Sequence, residues 1–89
     1  MDKNFQFLQQ AIKNFHNGNY ALAKNQLINV LKLAPKTFDA LHLMAIVLSK
    51  ENDHQEALGY YKKAFKINPN NPEVLSNYAA SLHQLHQDQ

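Results

Sequence analysis

The chain has 89 residues, 45% apolar and 18% charged, with nine lysines, no arginine, seven acids, a formal charge of +2 and no cysteine. These values fit one small folded domain and exclude disulfides, thiolate metal sites and cysteine nucleophiles. Without the rigid guanidinium fork the mild basicity points to no nucleic-acid partner; the lack of a signal-peptide core, or of a run of about 18 apolar residues, predicts a cytoplasmic chain with no membrane partner.

Apolar spacing and end signals predict five helices. The first is expected over residues 4–17, closed by Gly18 as a left-handed stop, and the second over 20–33, ahead of Pro35. A third is expected over 38–50, where Leu41, Met44, Ala45 and Leu48 follow the i, i+3, i+4, i+7 rule, with Asn52 as the left-handed stop. Asp53 followed three residues later by Glu56 forms a capping box for a fourth helix over 54–67, whose inner stripe is Ala57, Tyr61, Ala64 and Phe65. After Pro69, Asn71-Pro72-Glu73 supplies a cap residue, a first-turn proline and a first-turn acid for a fifth helix over 72–86. Ser81, His83, Gln84, His86 and Gln87 would give that helix a polar outer side.

The chain also repeats itself. At an offset of 34 residues Ala11, Ala45 and Ala79 fall in register, as do Phe7, Leu41 and Leu75; Ala23 meets Ala57, Leu27 meets Tyr61, Leu33 meets Ile67 and Pro35 meets Pro69. A fixed period of this size marks stacked units, none of which can bury its apolar face alone. Helices approach to about 8 Å only where the contact is small, so Ala11, Ala23, Ala45, Ala57, Ala64 and Ala79 are the expected points of closest approach. Gly59 lies inside a helix at a cost of about 1 kcal/mol relative to alanine, for which close packing is the one reason offered.

These positions carry a family resemblance. The second unit, with Leu41, Met44, Ala45, Leu48, Ala57, Tyr61, Ala64, Phe65, Ile67 and Pro69, resembles the tetratricopeptide repeat, and Leu75, Tyr78, Ala79 and Leu82 resemble half of another. The resemblance implies an all-α, right-handed superhelical stack of antiparallel helix pairs, an α-solenoid of five helices. It would form one domain over residues 1–89, with a first repeat at 4–37, a second at 38–71 and a half repeat or capping helix at 72–89. It further implies a module that binds a protein or peptide in the groove lined by the first helices, with no catalytic residues, metal or cofactor. The inner stripe of each first helix is needed for packing, which leaves the opposite stripe for the groove. In the second unit those residues are Asp39, His42, Ile46, Ser49 and Lys50; in the third they are Glu73, Ser76, Ala80, His83 and Gln84. The carboxylate-clamp form of the family does not transfer, because its sites fall on Leu8, Ile12, His42, Ile46, Ser76 and Ala80. An inner asparagine ladder would keep Asn77 alone, with Gln9 and Leu43 at the equivalent sites.

The first helix offers two solutions. In strict register it buries Phe7, Gln10, Ala11 and Asn14, a poor stripe, while Phe5, Leu8, Ile12 and Phe15 form a better one facing the groove. Either the helix is rotated so that Leu8, Ala11, Ile12 and Phe15 are core, or Phe5, Leu8, Ile12 and Phe15 form an apolar wall that docks a partner or a second copy of the chain.

Other chemistry is thinly represented. His83-x-x-His86 places two imidazoles on one helical face without a third ligand at zinc spacing. His16, His42 and His83 either approach the groove, which would make binding sensitive to pH around 6.5, or are isolated solvated histidines, the reading preferred here. Lys32, Lys62, Lys63 and Lys66 gather at the ends of the second helices, where they complement the helix dipole or meet an acidic partner on the convex side. The expected function is therefore protein–protein binding. The alternatives are a self-associating scaffold, giving a homo-oligomer, or the N-terminal repeat region of a larger bacterial enzyme such as a glycosyltransferase, which the DALHLMAIV and NPEVLSNYAASLHQL stretches resemble; ending within a unit favours a piece of a longer protein.

Overall fold

In the computed structural model, which describes residues 3–87, all regular structure is helical: α1 Lys3–His16, α2 Tyr20–Leu33, α3 Phe38–Lys50, α4 His54–Ile67 and α5 Pro72–Gln87. Each boundary lies within one residue of its expected place, and the end chemistry explains why. Gly18 has φ +81° and Asn52, one period on, φ +64°. At these left-handed residues the backbone makes the paired bonds of a Schellman stop: Asn19 N–H donates to Asn14 C=O at 2.8 Å and Gly18 N–H to Phe15 C=O at 3.0 Å, while Asp53 N–H donates to Leu48 C=O at 2.8 Å and Asn52 N–H to Ser49 C=O at 3.0 Å. Side chains cap the starts of α4 and α5, whereas Asn19 and Thr37 make no such bond at the starts of α2 and α3. The Asp53 carboxylate accepts from Glu56 N–H at 3.4 Å, and Asn71 Oδ1 accepts from Val74 N–H at 3.0 Å.

The helices pack as antiparallel neighbours, α1 with α2, α3 with α4 and α4 with α5, while α2 joins the two pairs by resting on α3. Ala11, Ala23, Ala45, Ala57 and Ala64 have no exposed surface, so five of the six expected close-approach alanines are where the helices meet. The main core gathers Ala11, Leu27, Val30, Ala45, Met44, Leu48, Ala57 and Tyr61 across all four of the first helices, and a smaller cluster of Leu41, Ala64 and Val74 ties α3 and α4 to α5.

Three expectations are corrected. Leu75, Ala79 and Leu82 of α5 are exposed, because no second helix covers them among the described residues. In place of that stripe α5 seats Val74, Tyr78 and Ser81 on the α3/α4 pair; Ser81 is therefore buried rather than on a polar outer side. A Cβ at Gly59 would meet nothing within 4 Å, so close packing does not account for that glycine. The side chain of Gln87, expected on the same polar side as Ser81, lies outside the described residues.

In α1 neither solution holds whole: Ala11 is buried, Phe7, Leu8 and Phe15 pack against the core, Asn14 is half-buried and Gln10 is exposed. Asn14 Nδ2 donates to Gln26 Oε1 at 2.8 Å and Gln26 Nε2 donates to Gln10 Oε1 at 3.1 Å. These three amides form a chain at the edge of the α1/α2 contact, with Asn14 and Gln26 half-buried and Gln10 in solvent.

Candidate functional site

Because α3 and α5 both lean on α4, their outer faces leave a cleft whose floor is Tyr61. It is a cavity of about 290 Å³ lined by Ile46, Ser49 and Lys50 of α3, His54 and Tyr61 of α4, and Asn77, Ala80, Ser81 and Gln84 of α5. Of the residues expected in a groove, the structure therefore gathers Ile46, Ser49, Lys50, Asn77, Ala80 and Gln84 around one space. Asp39, Glu73, Ser76 and His83 are exposed but lie outside that lining. His42 departs from expectation most clearly, being only 7% exposed.

Three polar contacts hold the walls of the cleft together. The Ser49 hydroxyl lies 3.3 Å from the Tyr61 hydroxyl and 3.2 Å from the Ser81 hydroxyl, so one side chain links α3, α4 and α5. Asn77 Nδ2 lies 3.3 Å from His42 Nε2. An amide nitrogen only donates, so Nε2 accepts and the neutral ring carries its proton on Nδ1. Around these contacts the aromatic rings of Phe38, His42, Tyr61 and Tyr78 follow one another from α3 through α4 to α5, with centroid spacings of 5.9, 6.1 and 6.2 Å and the last pair stacked at 12°.

Burial sets the electrostatics. Desolvation pushes the His42 pKa below its ordinary value, opposed in part by the charges of Glu73 and Asp39. Desolvation pushes the Tyr61 phenol up, opposed by its hydrogen bonds to Ser49 and Ser81. Both rings are therefore neutral near pH 7, and Lys50 carries the fixed charge at the cleft edge. The Ser49 hydroxyl bonds to other hydroxyls rather than to an imidazole, so this arrangement supplies hydrogen bonds, one ammonium and apolar contact from Ile46 and Ala80, but no activated nucleophile. Among the described residues no group of three or more His, Asp or Glu could hold a metal, and no helix is long and apolar enough to cross a membrane.

The first-helix residues divide. Phe5 is 51% exposed; Leu8, Ile12 and Phe15 are half-buried, and Leu8 and Phe15 pack against the core, with the Phe15 ring 5.6 Å from that of Tyr20. Tyr61, Ser81 and His54 are the cleft residues that the sequence pattern did not place there. Tyr61 matched a core position, which it also is; Ser81 was hidden by the assumption that α5 turns the same face inward as α3.

Short helix pairs stacked side by side, with a cleft across the first helix of one pair and the helix that follows it, define a helical-repeat scaffold. The chain belongs to the tetratricopeptide repeat family: models of that repeat match residues 38–71 and 60–89. It is 35% identical over 69 residues to the photosystem I assembly protein Ycf3 of Acaryochloris marina, covering 74% of this chain and 42% of that protein. It is 36% identical over 73 residues to the Ycf3 of Synechococcus elongatus, covering 79% of this chain and 42% of the relative, and 30% identical over 69 residues to that of Cyanophora paradoxa, covering 74% and 40%. The chain thus spans about two fifths of the length of these curated relatives. Tetratricopeptide repeats point to protein–protein interaction, without catalysis.

Proposed function

We propose that this chain is a protein-binding module that receives a peptide or partner helix in the cleft between α3 and α5 and performs no chemistry of its own. The observation that carries the reading is the lining of that cleft: Ile46 and Ala80 offer apolar contact on facing walls, Ser49, Asn77 and Gln84 offer hydrogen bonds, and Lys50 offers charge at one end. Ser49 and Asn77 are already held by Tyr61, Ser81 and His42, so a ligand meets groups whose positions are set before it arrives, which lowers the entropy lost on binding. The relatives named for photosystem I assembly support a role in which such a module brings polypeptides together, and an assembly role of this kind is the form of binding we assign.

The test uses peptides selected from a random display library against the folded chain. Ala80→Arg fills the cleft from the α5 side and Lys50→Glu reverses its charge; both positions are exposed, so the fold should stand. Each variant is expected to weaken the selected peptides by about tenfold or more, equivalent to about 1.4 kcal/mol, with an unchanged helical circular dichroism signal. Unchanged affinity in both folded variants would remove the cleft from the function.

A further inference from the structure

A second cavity shares no lining residue with the cleft. It lies where the α2–α3 connection meets the end of α4, has a volume of about 400 Å³, and is lined by Pro35, Lys36, Leu41, Lys63, Lys66 and Ile67. Its two kinds of lining are separate in chemistry. Leu41, Pro35 and Ile67 are apolar, with Leu41 buried beneath and Ile67 42% exposed. Lys36, Lys63 and Lys66 are exposed.

No carboxylate lines the cavity, and the one ion pair among the described residues is Lys24–Glu51, elsewhere in the fold. The three ammonium groups are thus not salt-bridged to any described residue. Part of their charge answers the ends of α2 and α4, each of which carries roughly half a negative charge from its unpaired carbonyls. Two such ends offset about one lysine, so the cavity keeps a positive excess of about two charges. Lys63 is also steadied by an aromatic face, its Nζ lying 5.3 Å from the centroid of Tyr60.

We infer that this cavity is a second docking site, for an acidic peptide segment whose single apolar side chain enters against Pro35, Leu41 and Ile67 while its flanking carboxylates meet Lys36, Lys63 and Lys66. The complementarity is specific in two respects. An apolar floor of side-chain dimensions selects a peptide over a free anion, because the anion leaves that floor wet. Flexible lysines, rather than arginine forks, suit mobile carboxylates on a short segment better than the planar edges of bases. The site is independent of the α3–α5 cleft, so a partner could engage both.

The probe is a fluorescein-labelled peptide, Glu-Glu-Leu-Glu-Glu, followed by anisotropy with the full chain at low ionic strength. It is expected to bind, to lose affinity as salt rises, and to bind more tightly than Gln-Gln-Leu-Gln-Gln or Glu-Glu-Ser-Glu-Glu. Lys63→Gln with Lys66→Gln is expected to weaken it about fivefold or more, while Lys50→Gln in the cleft leaves it unchanged. Equal binding of the neutral or serine peptide, indifference to the paired lysine substitution, or loss through Lys50→Gln would each overturn the assignment. So would competition by phosphatidylglycerol vesicles through the same lysines in preference to the peptide, which would identify a lipid surface as the occupant.

Discussion

α3 and α5 stand one period apart and share leucine, alanine and leucine along one stripe, yet Leu41 is 2% exposed and Leu75 45%, and Leu48 is 3% exposed and Leu82 40%. The difference lies in the neighbours. A first helix in this stack has two packing sides, one toward its own second helix and one toward the preceding pair. α3 uses both: Ala40, Met44, Ala45, Val47 and Leu48 share one cluster with Leu27 and Val30 of α2 and with Ala57 and Tyr61 of α4, and Leu41 meets Ala64 of α4. α5 uses only the second, seating Val74, Tyr78 and Ser81 on the pair before it. A repeated stripe therefore says which residues can be buried, and the presence of a neighbour decides which of them are.

The largest expected effect separates the two helices directly. Leu41→Ala leaves a cavity in a filled core and should cost about 2 to 5 kcal/mol, whereas Leu75→Ala, already half in solvent, should cost about 0.5 to 1 kcal/mol. Urea unfolding of the two variants checks this, and equal losses would break the comparison. Next comes the reverse substitution: Ala45→Leu overpacks the α3/α4 contact by about 1 to 3 kcal/mol, while Ala79→Leu should stay within about 0.5 kcal/mol of the parent in the same measurement.

A pH series sharpens the comparison at the seam between the helices. The folded pKa of His42 lies below the ordinary 6.5, because burial disfavours its charged form. As pH falls through about 6.5 the unfolded chain takes up the proton before the folded chain does, so this residue's share of stability is intact above that pH and declines below it. Melting temperatures from pH 8 to pH 5 are expected to fall more steeply in the parent than in His42→Leu, a substitution that copies Leu8 from one period earlier; parallel curves would count against the buried ring. The smallest effect is a gain. Gly59 faces open space on α4, and Gly59→Ala should raise stability by about 0.4 to 1 kcal/mol in thermal unfolding by lowering the entropy of the unfolded chain.

The helix spans were legible because their signals are local. Gly18, Asn52, Asp53 and Asn71 each fix a backbone turn or satisfy an end amide within a few residues, so no distant contact is needed to read them. Five of the six alanine contacts were legible in the sequence, with Ala79 exposed instead. What was not legible depends on pairs far apart in the chain. Asn14 looks wrong for a half-buried place until Gln26, 12 residues on, accepts from its amide, and His42 looks like a groove residue until Asn77, 35 residues on, reaches its ring. The same holds for the cleft: Ile46, Ser49 and Lys50 could be read from their stripe, but Ser81 enters it only through a contact with Ser49 that spans 32 residues.

Amide hydrogen exchange along the two helices tests the central claim, that α3 is clamped on both sides and α5 on one. Amides of Leu41 to Leu48 are expected to exchange only through global unfolding, and those of Leu75 to Leu82 faster, through opening of α5 by itself. Protection in α5 equal to that in α3 would contradict it.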